Sequence, residues 1–215
     1  MLQRILVLSL CLLLPAAVPA QTRTLEPSGE YANIDTRVAR EAIEALSSGA
    51  PDRQARTIAA VTAAPEKYAP PVFYALSRTL FEQDKKDEAA FWFYAGQLRA
   101  RFDANRCADA SARQAVSVLN REYGGPVNKH AMQDLAKLEK IVGRAVAWDR
   151  ATAHDYDHRW INLHGMGAVL SAKEGAKPAP LSLPQQDWPA IADKTRRDYL
   201  SGFRKAMERM KQQGR

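Results

Sequence analysis

The densest set of chemically capable side chains in this 215-residue chain is His154-Asp155-Tyr156-Asp157-His158-Arg159-Trp160, with His164 close behind. Imidazoles and carboxylates at this density would bind zinc or a similar divalent ion, or supply an acid–base pair. The chain would then be a metal-dependent hydrolase using His154 and His158 with Asp155 or Asp157. His154 and His158 have the i,i+4 spacing of one helix face, but no HExxH pattern is present, and the two aspartates fall on other faces of such a helix. A structural reading uses the same residues differently: Asp155 or Asp157 caps a short helix or pairs with Arg159, while Trp160, Leu163 and Met166 anchor the segment. A third reading makes them an interface, because Tyr, Trp and Arg concentrate at binding hot spots. On that reading Tyr156, Arg159 and Trp160 face a protein partner, together with Arg196, Arg197 and Arg204 of a basic C-terminal helix.

Other chemistry has less support. No Gly-x-Ser-x-Gly elbow occurs, and Gly124-Gly125-Pro126 reads as a helix break, not a phosphate loop. Cys107 lies at a predicted helix start and reads as a small buried residue. No catalytic residue, no resident metal and no cofactor is assigned. The last helix is rich in Lys and Arg, but Asp193, Asp198 and Glu208 interrupt its surface. A solvated face, or steering toward an acidic protein partner or anionic headgroups, fits it better than nucleic acid.

Helical periodicity positions these residues. Asp35 or Thr36 caps a helix with Val38, Ala42, Ile43 and Leu46 inward, and Gly49 ends it. Pro51 opens a second, carrying Ala55, Ile58, Ala59 and Thr62. Pro70-Pro71 opens a third with Phe73, Leu76, Ser77 and Leu80 on one face. After the polar turn Asp84–Asp87, a fourth helix spans Glu88 to Phe102. Its run Ala89-Ala90-Phe91-Trp92-Phe93-Tyr94-Ala95 is apolar on nearly every side, which marks the centre of the domain. A fifth helix runs from about Asp109 to Tyr123, Gly124-Gly125-Pro126 stops it, and a sixth spans Val127 to Trp148. Asp149 to Gln186 is irregular: His154–Leu170 packs, and Ser171–Gln186 is read as a mobile surface loop. Trp188-Pro189 starts a last helix with Tyr199, Phe203, Ala206, Met207 and Met210 inward. The fold class is therefore all-α: stacked antiparallel helical hairpins, then a long irregular segment before a C-terminal helix.

Residues 1–20 read as a cleavable secretory signal peptide. Arg4 precedes the apolar stretch Ile5–Leu14, and Val18-Pro19-Ala20 supplies the small residues of a cleavage site. The expected domains are 1–20 leader, 21–34 extended lead-in, 35–150 helical-hairpin core, 151–186 irregular segment and 187–215 basic helix. Loss of Arg4 lowers the formal charge from +7 to +6, and loss of Cys11 leaves Cys107 without a disulfide partner. The expected location is the periplasm, with no nucleic-acid partner and no stable membrane anchor.

The segment Pro70–Leu80 followed by Asp87-Glu88-Ala89-Ala90-Phe91-Trp92-Phe93-Tyr94-Ala95 resembles one unit of the tetratricopeptide class, over residues 70–102. A leader followed by a hairpin domain, with the aromatic segment Phe91–Arg99, also resembles periplasmic immunity proteins. These neutralise secreted antibacterial effectors, including phospholipase effectors of type VI secretion. The resemblance implies a protein that binds and occludes a secreted effector. The metal-dependent hydrolase and an envelope-assembly scaffold are the alternatives.

Overall fold

The computed structural model describes residues 28–171 and 179–212. Residues 1–20, read above as a leader and containing Cys11, residues 21–27 of the lead-in, residues 172–178 of the irregular segment and residues 213–215 lie outside the described residues. Eight α-helices follow one another: α1 (Arg37–Ser47), α2 (Pro51–Ala63), α3 (Pro70–Glu82), α4 (Lys86–Arg106), α5 (Gln114–Ala131), α6 (Leu135–Ala151), α7 (Met166–Ser171) and α8 (Trp188–Gln212). There is no strand among the described residues. A single antiparallel bridge joins Cys107 to Ser182. The fold is all-α and built on helical hairpins.

The α3–α4 hairpin is the centre. Pro70 sits in the first turn of α3, where its missing N–H removes no helical bond. Between the helices Asp84 adopts a left-handed φ of 62°, the turn geometry for which Asp is one of the few non-glycine choices. Ser77 Oγ donates to the Ala89 carbonyl at 2.7 Å, fixing the register of the pair. From Ala89 to Arg106 α4 buries every side chain but Gln97, Arg101 and Asn105, because α3, α5, α6 and α8 all pack on it. Phe73, Trp92 and Trp148 interlock at centroid distances of 5.3–5.6 Å, joining α3, α4 and α6.

α2 is peripheral. Its expected face (Ala55, Ala59, Thr62) is exposed, and Val61 is its one buried side chain, with Ile58 half-buried. The helix leans on α1 alone among the long helices, so a one-sided contact through Val61 replaces the broader stripe. In α1 Ala42 and Leu46 are buried as the spacing predicts and Ile43 is half-buried, whereas Val38 is 39% exposed and Ala45 takes a buried place instead.

The break expected at Gly124-Gly125-Pro126 does not exist: α5 runs through all three residues to Ala131. Pro126 cannot donate to the carbonyl four residues back, that of Glu122. Arg78 of α3 donates its guanidinium to that same oxygen at 3.3 Å and restores the bond from outside. Gly124 is required by close approach, since a Cβ there would lie 2.9 Å from Phe93 Cζ. α6 accordingly begins later than expected, at Leu135, where the Asp134 carboxylate accepts from Lys137 N at 2.9 Å.

Three further expectations are corrected. The lead-in is a 3-10 turn over Gly29–Asn33, not an extended segment. Cys107 caps the end of α4 and does not open a helix; its thiol is buried, and that burial pushes its pKa up. The segment 179–186 is pinned: Leu181 is buried, its carbonyl accepts from Ala108 N, and Leu183 N donates to Arg106 O.

Two substitutions test the packing. Gly124→Val should lower stability by about 1–3 kcal/mol by overpacking the α4–α5 contact. Gly143→Ala on α6, where a Cβ meets nothing within 4 Å, should raise it by about 0.5–1 kcal/mol. Urea denaturation of both variants checks the contrast.

Candidate functional site

The structure disperses the sequence-prominent histidines and aspartates. His158 Nε2 lies 2.8 Å from Ser182 Oγ, and its ring packs edge-on against Trp188 at 4.7 Å. Burial, helped by the nearby Arg106, pushes its pKa down to about 4, so the ring is neutral at pH 7. His154 sits edge-on to Phe102, its Nε2 3.4 Å from Asp149. Asp157 accepts from the Arg159 backbone at 3.0 Å, from the Arg159 guanidinium at 2.7 Å and from Asp35 N at 3.0 Å. Asp155 is exposed and is tied down only through its backbone N–H, which donates to Glu66 O at 2.8 Å. His154, His158, Asp155 and Asp157 thus belong to four separate contact sets. Among the described residues no three His, Cys, Asp or Glu side chains gather as a metal site needs.

The Ser182–His158 pair has the atom types of a nucleophile and base. A general base works best with a pKa near the operating pH, and His158 lies far below it. No carboxylate hydrogen-bonds the ring among the described residues. The pair clasps the 158–164 turn to the 179–187 segment.

Beneath this segment lies a buried ionic network carried by α4. Arg99 is fully buried. Its Nε donates to Asp149 Oδ1 at 3.1 Å, its Nη2 donates to the Thr152 carbonyl at 2.8 Å, and its guanidinium lies 4.4 Å over Trp148. Asp149 also accepts from Arg196 Nε of α8 at 2.8 Å. Burial raises the Asp149 pKa, but His154, Arg99 and Arg196 together bring it below the usual carboxylate value. One turn further on, Asp103 accepts from Arg106 at 2.6 Å, Trp160 Nε1 at 2.7 Å and the Tyr156 hydroxyl at 3.0 Å. Arg106 is sandwiched between Phe102 and Trp188 at 4.4 and 4.7 Å. Charges removed from water persist only when paired in this way.

This network draws in part of the expected interface. Trp160 is buried, and Tyr156 and Arg196 are half-buried with their polar atoms bonded within the fold. Arg159 is held by Asp157 and by the Asn33 carbonyl. Of the six residues expected at the interface, Arg197 and Arg204 are exposed, Arg204 reaching Glu139 at 4.0 Å. Of the predicted anchors, Trp160 is buried, Leu163 half-buried and Met166 56% exposed, with Ile161 taking the core position instead. Gly165 and Gly167 are there for close approach: Gly167 N donates to Asp109 at 2.8 Å, and a Cβ at either position would crowd that carboxylate.

What sequence reasoning missed is a cleft of about 640 Å³ over the C-terminal half of α4, flanked by α5 and α8. Its floor is the polar stripe Gln97, Arg101 and Asn105, spaced four apart on one face of the helix, and that spacing was the available signal. Arg113, Val116 and Asn120 line one wall, and Tyr199 and Phe203 the other. A hydrogen-bond chain stiffens the base: Tyr199 Oη donates to Gln97 Oε1 at 2.8 Å, and Gln97 Nε2 to Asn120 Oδ1 at 2.8 Å. Tyr74 Oη donates to that same Asn120 oxygen at 2.9 Å. Comparison with protein-family models, with curated proteins and with solved structures finds no match to this chain.

Removing the Asp103 carboxylate in Asp103→Ala leaves Arg106 buried and unpaired, with an expected loss of about 3–5 kcal/mol. Urea denaturation monitored by tryptophan fluorescence reads it out. His158 gives a pH signature. Its folded pKa of about 4 lies below the value of 6.5 for the free side chain, so between those values the unfolded chain binds the extra proton. Stability should therefore fall as pH drops from 6.5 toward 4, by up to about 3 kcal/mol from this group. His158→Gln should flatten the slope of denaturation midpoint against pH in that window.

Proposed function

We propose that this chain is an exported protein that binds another protein and acts by occlusion, in the manner of periplasmic immunity proteins that neutralise a secreted antibacterial effector of the lipase or phospholipase class. The observation that carries this reading is the division of its polar groups. The buried arginines, with Asp103, Asp149, Asp157 and His158, are tied into internal contacts, while a cleft is left open to solvent. Occlusion asks nothing more of a protein than a preorganised surface, which lowers the entropic cost of binding. The polar groups tied into the core hold α4, α6 and α8 in fixed relation and so supply that rigidity. Export rests on the leader-like residues 1–20, and no described helix is long and apolar enough to cross a membrane.

The test pairs the chain lacking residues 1–20 with a secreted effector encoded beside its gene. A stoichiometric complex by size-exclusion chromatography, with effector hydrolysis abolished at equimolar inhibitor, is the expected result. In cells the protein should fractionate with the periplasm and begin at Gln21. Full effector activity in the presence of excess folded chain would end this reading.

A further inference from the structure

The cleft over α4 presents two exposed guanidiniums. The buried or half-buried arginines of the fold each have a carboxylate: Arg99 and Arg196 share Asp149, Arg106 has Asp103, and Arg159 has Asp157. Arg101 and Arg113, exposed on the cleft lining, have no carboxylate partner among the described residues, as holds for other exposed arginines such as Arg40 and Arg144; what sets the cleft pair apart is that they share one concave surface. Arg101 rests 5.4 Å over the Tyr199 ring, a contact that positions a guanidinium without neutralising it. The cleft's one acidic side chain, Asp198, is already paired with Lys194.

The neutral groups add donors. With its oxygen taken by Tyr74 and Gln97, the Asn120 side-chain amide nitrogen is the free end of the chain of hydrogen bonds. Asn105 spends one N–H on Thr195 Oγ1 at 2.9 Å, and its second amide hydrogen has no partner among the described residues. Val116 and Phe203 supply apolar wall between these polar points. The volume falls in the range of about 300–1,000 Å³ typical of ligand clefts. Unanswered positive charge, amide donors and interleaved apolar wall complement an extended segment with alternating acidic and apolar side chains.

We propose that the α4–α5–α8 cleft binds an acidic polypeptide segment of the partner, with its carboxylates on Arg101 and Arg113 and an apolar side chain against Val116 and Phe203. This rests on the protein-binding role proposed above and names the chemistry of the partner's contacting segment.

The probe is a fluorescein-labelled peptide of alternating glutamate and leucine, read by fluorescence anisotropy, beside a counterpart with glutamine in place of glutamate. The glutamate peptide should bind, weakening with added salt, and the glutamine peptide should bind at least about tenfold more weakly, the scale of two lost charge-assisted contacts. Arg101→Gln with Arg113→Gln should cost a similar factor. Arg197→Gln with Arg204→Gln removes equal charge from outside the cleft and should leave affinity within about twofold, as rim charges do. Gly202→Leu fills the cleft from α8, where a Cβ meets nothing within 4 Å. It should abolish binding with the far-ultraviolet circular dichroism unchanged. Equal binding of the two peptides, or equal loss from the two arginine pairs, overturns the proposal. An effector captured equally well by the Arg101→Gln/Arg113→Gln chain also overturns it while sparing the protein-binding role. Peptide binding that needs these arginines, with no effector bound, upholds the cleft and removes that role.

Discussion

Burial of α4 under four other helices is the constraint from which the rest of the structure follows. Between Ala89 and Arg106 only Gln97, Arg101 and Asn105 escape burial, yet the buried faces of the C-terminal half carry Arg99, Asp103 and Arg106. Each must find its counter-charge inside the fold or destabilise it by several kcal/mol. The counter-charges and donors come from afar: Asp149 at the end of α6, Tyr156 and Trp160 on the connecting turn, Arg196 on α8. The C-terminal third of the chain is thus fastened to the hairpin core by polar geometry as well as by apolar contact. Hydrophobic contact alone tolerates sliding and repacking. A guanidinium held by a carboxylate, a carbonyl and an indole face fixes one arrangement.

The cleft is the geometric remainder of that arrangement. α5 and α8 flank α4, with Asn120 of α5 and Tyr199 of α8 both bonded to Gln97 between them. The groove wall is therefore tied to its floor, and the same α8 that closes the ionic network holds one side of the groove. Cleft and core share a helix, so the groove wall is anchored in the core beneath it.

Local patterning carried most of the elements. Pro at the openings of α2 and α3, the apolar run of α4 and the stripe of Leu138, Val142 and Ala145 in α6 each act over one or two turns, and the helices form where those signals fall. The failures share a cause. Gly124-Gly125-Pro126 reads as a break because the donor that makes it tolerable belongs to Arg78, distant in sequence. The histidine-rich segment reads as a cluster because it is dense along the chain, while the 3-10 turn beginning at His158 sends its side chains in different directions. Asp149 carried no signal, since its arginine partners lie about fifty residues away, and the Asp103–Arg106 spacing on α4 gave no hint of Tyr156 and Trp160, more than fifty residues on. The cleft needed three helices placed in space, and only its polar floor on α4 was legible beforehand.

The attachment of α2 has a consequence for dynamics. Its grip on the body depends on Val61 and a half-buried Ile58, against a core of interlocked aromatics elsewhere. Opening this edge exposes little apolar surface and breaks no ionic contact of the network, so it costs far less than global unfolding. Amide hydrogens of residues 51–63 should then trade with solvent through a separate, shallow excursion, while those of α4 wait for the whole molecule to come apart. The protein has a graded hierarchy of cooperative units, with its most replaceable edge at α2 and its last to open at α4.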